Sequence, residues 1–163
     1  MTHPFTLPEQ LKIVDATAGP VTTNGGVTSD YVRLGDAHKA FIVCQLTQAV
    51  GHATSIAVRK ATAAAGTGVV AITVSQPIWA NEDTAASDAL VAKAAAVSYA
   101  VTNDIKKKIV VFQIDPASLG DTFDYLNFTV SDSSQATNFV AGAFYLFSRY
   151  PGATPPGGPT VIT

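Results

Sequence analysis

Tyr125-Leu126-Asn127-Phe128-Thr129-Val130-Ser131 alternates strictly between apolar and polar side chains. Side chains along a strand point to opposite faces with a period of two. The alternation therefore predicts one buried face, Leu126, Phe128 and Val130, and one outward face, Tyr125, Asn127, Thr129 and Ser131. Working outward, Lys107–Ile114 reads as a second strand. Asp115-Pro116-Ala117-Ser118-Leu119-Gly120 reads as a single helical turn closed by glycine. Phe139–Phe147 is bulky at both parities, which predicts a strand covered on both faces.

Upstream, the same reading places strands at 30–34, 39–46, 54–60, 69–75 and 94–101, and the late ones at 107–114, 123–131 and 139–148. Pro77-Ile78-Trp79 reads as an irregular extension, and Thr84–Leu90 as a short helix or loop. About eight strands separated by turns, with no βαβ spacing and no internal repeat, predict an all-β antiparallel β-sandwich, jelly-roll-like. The expected core is Val32, Phe41, Val43, Ile56, Val58, Ile72, Val110, Phe112, Leu126, Phe128, Val130, Tyr145 and Phe147.

Both ends read differently. Residues 151–163 hold Pro151, Pro155, Pro156 and Pro159 with Gly152, Gly157 and Gly158. The start is punctuated by Pro4, Pro8, Gly19, Pro20 and Asn24-Gly25-Gly26. Proline lacks a donor and glycine costs entropy, so neither end suits a regular element. The expected division is an N-terminal arm at 1–28, with one or two helical turns at Leu7–Val14, a β-sandwich domain at 29–150, and a Pro/Gly-rich arm at 151–163. Arms of this kind are expected to lie across neighbouring subunits.

Charge restricts the functions. Of 163 residues only 13% are charged, while 47% are hydrophobic, and the net charge is −2. The charged share is about half the usual ~25%, which fits a surface packed against partners. Phosphate binding needs a basic stripe. Lys106-Lys107-Lys108 is the one basic cluster and reads as a solvated strand end, so no direct nucleic-acid contact is expected. No run reaches the roughly 18 apolar residues of a membrane span. Met1-Thr2-His3-Pro4-Phe5 lacks a signal-peptide pattern, so synthesis in a cytoplasm and no membrane partner are expected.

No catalytic pattern emerges. His3, His38 and His52 lie apart, with no spacing for three or four zinc ligands. There is no Gly-x-Ser-x-Gly elbow. Glu9 and Glu82 are the only glutamates, and most aspartates occupy turns. Cys44, within Phe41-Ile42-Val43-Cys44, reads as a small buried hydrophobe. The expectation is no enzyme activity, no cofactor and no metal. The candidate interface residues are Pro4, Phe5, Pro20, Trp79, Tyr150, Pro151, Pro155 and Pro156, with Trp79 as either an anchor or a core residue.

Two stretches, Ser29-Asp30-Tyr31-Val32-Arg33-Leu34-Gly35-Asp36-Ala37-His38-Lys39-Ala40-Phe41-Ile42-Val43 and Ala143-Phe144-Tyr145-Leu146-Phe147-Ser148-Arg149-Tyr150, resemble small virion proteins of tailed bacteriophages, of the capsid decoration (cement) type. The resemblance covers about 29–150, leaves residues 1–28 unmatched and transfers no catalytic residue. It implies a jelly-roll subunit, a dimer or trimer, on the virion capsid surface, bound to major capsid protein subunits. A carbohydrate- or receptor-binding β-module of a tail or fibre is the alternative, favoured if aromatics group on one exposed sheet face.

Overall fold

In the computed structural model, which describes residues 11–149, the chain forms thirteen strands and one short 3-10 turn. These are β1 (Leu11–Asp15), β2 (Val21–Thr22), β3 (Val27–Thr28), β4 (Val32–Arg33), β5 (Ala37–Thr47), β6 (Thr54–Ala61) and β7 (Val70–Ala71). They continue with β8 (Gln76–Asn81), β9 (Val91–Ala96), β10 (Ser98–Val101), β11 (Lys107–Ile114), the turn Pro116–Leu119, β12 (Tyr125–Val130) and β13 (Phe139–Ser148).

The strands make two antiparallel sheets. Sheet A runs β1-β13-β5-β11-β8-β9, with β2 also on β13. Sheet B runs β10-β6-β12-β3, with β4 on β12 and β7 on β6. Within this, β1-β13-β5-β11 faces β3-β12-β6-β10, and the chain crosses between sheets in the order of two nested Greek keys. That is the jelly roll expected from the sequence. The β8–β9 hairpin is an insertion between β6 and β10 that widens sheet A past β11.

The core lies between the sheets. Leu126, Phe128 and Val130 of β12 are buried, as the alternation predicts, with Ile56 and Val58 of β6 and Val110 and Phe112 of β11. Phe128 crosses the gap to Gly142 of β13, where a methyl group would overlap the ring. It also meets Phe144 edge-on, with centroids 5.8 Å apart. Glycine is needed at 142 for this approach, not for its backbone angles.

Four expected core residues are on the wrong face. Phe41, Val43 and Tyr145 are only half-buried and Phe147 is exposed. On β5 the inward residues are Ala40, Ile42, Cys44 and Leu46, and on β13 they are Val140, Gly142, Phe144 and Leu146. The rings of Phe112, Phe128 and Phe144 already fill the interior, and Phe128 reaches β13 at a position only glycine leaves open. Packing at near-crystalline density leaves no other place for a large ring.

The N-terminal boundary also moves. Of the helical turns expected at Leu7–Val14, residues 7–10 lie outside the described chain, and Leu11–Asp15 is a strand. It pairs with β13 from Leu11↔Phe147 to Asp15↔Ala143. β2 pairs with β13 and β3 with β12. Residues 11–28 therefore belong to the sandwich and do not form an arm. Buried Leu11, Val14 and Ala16 supply the reason: pairing on an open sheet edge outweighs a weak local helical preference. Pro77-Ile78-Trp79 lies within β8: Ile78 and Trp79 pair with β11 through Ile78↔Phe112 and Trp79↔Val111, and the irregularity expected here falls at Pro77, where the register with β9 shifts.

Candidate interaction face

The outer face of sheet A collects the residues that the core rejects. One row runs Ile13–Tyr145–Phe41–Gln113 across β1, β13, β5 and β11. The next runs Asp15–Ala143–Val43–Val111–Trp79–Ala92 out to β9. Phe147 lies beside the first row, edge-on to Phe41 with centroids 5.7 Å apart. Phe147 is 41% exposed and Ile13 51%. The small side chains of Ala141 and Ala143 leave a hollow of about 220 Å³ between Tyr145, Val43, Gln45 and Asp15. Charges stand at the margins: Lys39 opposite Phe147 at one end, Lys107 opposite Thr47 at the other, and Asp15 on the edge strand. The middle of the face is apolar and aromatic.

Of the expected interface residues, Trp79 is on this face, half-buried between Val111 and Ala92. Pro20 is exposed in the loop between β1 and β2, away from Trp79 in the sheet order. Pro4, Phe5, Tyr150, Pro151, Pro155 and Pro156 lie outside the described residues. The residues that make the face, above all Phe41, Tyr145 and Phe147, were assigned to the core from their bulk. The hydroxyl of Tyr145 and the glycine at 142 are the signals in the sequence that point the other way.

A second cluster sits at one end of the sandwich. Lys108, read from the sequence as part of a solvated strand end, is fully buried. Its Nζ donates to Gln48 Oε1 at 2.5 Å, to Thr102 O at 2.5 Å and to Thr102 Oγ1 at 2.8 Å. Glu82 Oε2 is 3.7 Å away. The Tyr99 hydroxyl donates to Glu82 Oε1, and Thr102 Oγ1 donates to Oε2 at 2.9 Å. Burial pushes the Lys108 ammonium below its ordinary range, against the pull of Glu82. Burial, then the hydrogen bond and charge of Glu82, pushes the Tyr99 phenol up. An ammonium has three donors, and Gln48 Oε1, Thr102 O and Thr102 Oγ1 accept from all three. Lys108 clips the ends of β5, β8 and β10 to β11. Lys106, by contrast, is exposed and pairs with Asp83 at 3.0 Å.

The outward face of sheet B holds an orphaned group. Asn127 is fully buried, and both its amide atoms lack partners, as does Nε of its cross-strand neighbour Arg59. Leaving a buried polar group unpaired costs about 1–3 kcal/mol, whereas an apolar group of the same shape avoids that penalty. Asn127→Leu is therefore expected to leave stability unchanged or raise it by about 1 kcal/mol in urea denaturation. A clear loss would show that the amide has a partner in solution.

The groups weighed for catalysis are dispersed. His38 and His52 are exposed, and Cys44 is buried with its thiol pushed up by desolvation. Among the described residues no three His, Cys, Asp or Glu side chains come together as a metal site, and no helix is long and apolar enough to cross a membrane.

No protein-family model matches the chain, and no curated protein is similar to it. Among solved structures, it is similar to the SPBc2 prophage-derived protein YomS, with a TM-score of 0.44 at 13% identity over 90% of this chain and 100% of that one.

Proposed function

We propose that this chain is a non-catalytic structural protein of a tailed-phage virion, a decoration (cement) protein that binds major capsid protein subunits and stabilises the shell from outside. The observation that carries the reading is the apolar, aromatic outer face of sheet A, whose charges lie only at its margins. Contiguous exposed apolar surface on a folded domain marks an interaction site. Burying it against a shell subunit contributes about 25 cal/mol per Å² before the cost of association. Repetition over a symmetric shell, with each copy touching more than one subunit, sums modest contacts into strong retention.

The test is to add purified chain back to particles that lack it and measure occupancy. Phe147→Glu puts a charge on the exposed end of the face and leaves the core alone. It is expected to weaken binding about tenfold or more, equivalent to ~1.4 kcal/mol. Equal occupancy of variant and wild type would sink the reading.

The grouping of Phe41, Tyr145, Phe147 and Trp79 on one exposed face also favours the carbohydrate- or receptor-binding module of a tail or fibre. Sugar recognition needs hydrogen-bonding groups beside the rings. In the two central rows these are Asp15, Gln113, the Tyr145 hydroxyl and the Trp79 indole N–H, with Gln45 at the hollow; they lie at or next to the ends of rows otherwise made of Ile13, Phe41, Ala143, Val43, Val111 and Ala92, which weighs toward a protein partner. Glycan binding by the wild type that Phe147→Glu abolishes would reverse that order.

A further inference from the structure

The hollow on the outer face of sheet A has a chemistry of its own. Its volume of about 220 Å³ is below the ~300–1,000 Å³ of pockets that enclose a whole small molecule, so it suits a single side chain. Its floor is small and apolar: Ala143 faces Val43 across the β13–β5 ladder. Tyr145 bounds it on β13, and Asp15 of β1 lines it directly opposite Ala143. Asp15 is exposed, and the Thr17 N–H donates to its Oδ1 at 3.2 Å, which holds the carboxylate on its own turn. Among the described residues no cation pairs with Asp15; the two ion pairs of the chain are Lys106–Asp83 and Lys108–Glu82. The charge that Asp15 acts on is another carboxylate: burial, and then Asp15, push the Asp30 carboxyl above its ordinary range. This margin of the apolar face is therefore negative and uncompensated.

We propose that the hollow receives an arginine side chain of the protein that docks on this face, with the guanidinium on Asp15 and the aliphatic stem on Ala143 and Val43. The inference rests on the partner-binding role of the face and names the contact that would give it selectivity. Tyr145 is the diagonal neighbour of Asp15 in the β1–β13 ladder, a separation of about 7–8 Å that a long side chain spans. A guanidinium on Asp15 can therefore also lie against the Tyr145 ring. Arginine meets both demands. Its planar head donates two parallel N–H bonds to a carboxylate and stacks on aromatic faces. Lysine would bring a strongly hydrated point charge without the fork. Leucine or methionine would cover Asp15 and leave its charge without a partner, which costs free energy.

The test needs no particles. The probe is the blocked peptide acetyl-Gly-Arg-Gly-amide, with acetyl-Gly-Leu-Gly-amide and N-acetylglucosamine beside it, titrated into the isotope-labelled full chain. The arginine peptide should shift the methyl signals of Val43, Ala141 and Ala143 in a saturable way, and added salt should weaken it. Asp15→Asn should weaken it about fivefold or more, the effect of one partly exposed ion pair. Ala143→Leu fills the hollow and should abolish the shifts while circular dichroism stays that of the wild type. No shift with the arginine peptide would overturn the proposal. So would equal shifts with the leucine peptide, larger shifts with N-acetylglucosamine, or undiminished binding by Asp15→Asn. Particle occupancy separates this contact from the virion role. Full occupancy by Asp15→Asn and Ala143→Leu, with Phe147→Glu released, would remove the arginine and keep the role. Full occupancy by Phe147→Glu, with the peptide still seated in the wild-type hollow, would remove the role and keep the arginine site.

Discussion

Phe128→Ala is expected to lower the stability of the chain by about 3–5 kcal/mol, the range for an aromatic removed from a core. The upper half of that range applies because the hole cannot close. Phe128 is fully buried and reaches from β12 across to β13, where its ring lies against Gly142. Glycine has no side chain to move in, and both flanking sheets are fixed by their ladders. The edge contact with Phe144 is lost as well. Chemical denaturation with an unchanged slope would measure the loss, and a change below about 1 kcal/mol would mean that the ring is not in the core. The same geometry makes a second expectation. Gly142→Ala alone should cost about 1–3 kcal/mol by overpacking. Combined with Phe128→Ala it should cost less than the sum, because the new methyl enters the vacated space.

Lys108→Met is expected to cost about 3–5 kcal/mol, as when one partner is removed from a buried charged cluster. The methionine keeps most of the stem, so the loss reports the ammonium and not a cavity. Gln48 Oε1 and the Thr102 carbonyl would lose their shortest donor, and Glu82 would lose its nearest cation. Leaving such groups unpaired costs more than never having buried them. Lys108→Met combined with Gln48→Leu should therefore recover part of the loss, again by denaturation. If Lys108→Met cost nothing, water would have to replace the ammonium, and the clip between the β8–β9 insertion and the main sandwich would be dispensable.

The proposed binding face has no effect on this core chemistry. Phe147 and Ile13 are exposed outside the sandwich, so a binding variant and a folding variant are separable by experiment. This separation is a consequence of the jelly roll. Two sheets enclose one core, and the outer faces are free for other work.

Much of the strand pattern was legible. β11 and β13 begin and end as expected, and β12 is placed to within two residues, because each is bounded by turn residues and carries β-branched or aromatic side chains. Tyr125–Val130 showed its inner face directly, since only one parity is apolar. β5 and β13 did not. Both parities of Phe41-Ile42-Val43-Cys44 and of Phe144-Tyr145-Leu146-Phe147 are apolar, so periodicity has no sign to read. The strand at Leu11–Asp15 was missed because its partner, β13, lies over a hundred residues away along the chain.

The sequence alone determined what is local: alternation, turn chemistry, the all-β class, the scarcity of charge and the burial of Cys44. Tertiary structure decided what depends on partners distant in the chain. It set which face of β5 and β13 turns inward, because Phe128 needs Gly142 opposite it. It buried Lys108, because Gln48, Thr102 and Glu82 converge on it from other elements. It also placed Trp79 one strand in from the end of sheet A, beside β9, because the β8–β9 insertion widens that sheet past β11. Each is a matter of which surfaces meet, and a period along one strand carries no record of what packs across from it.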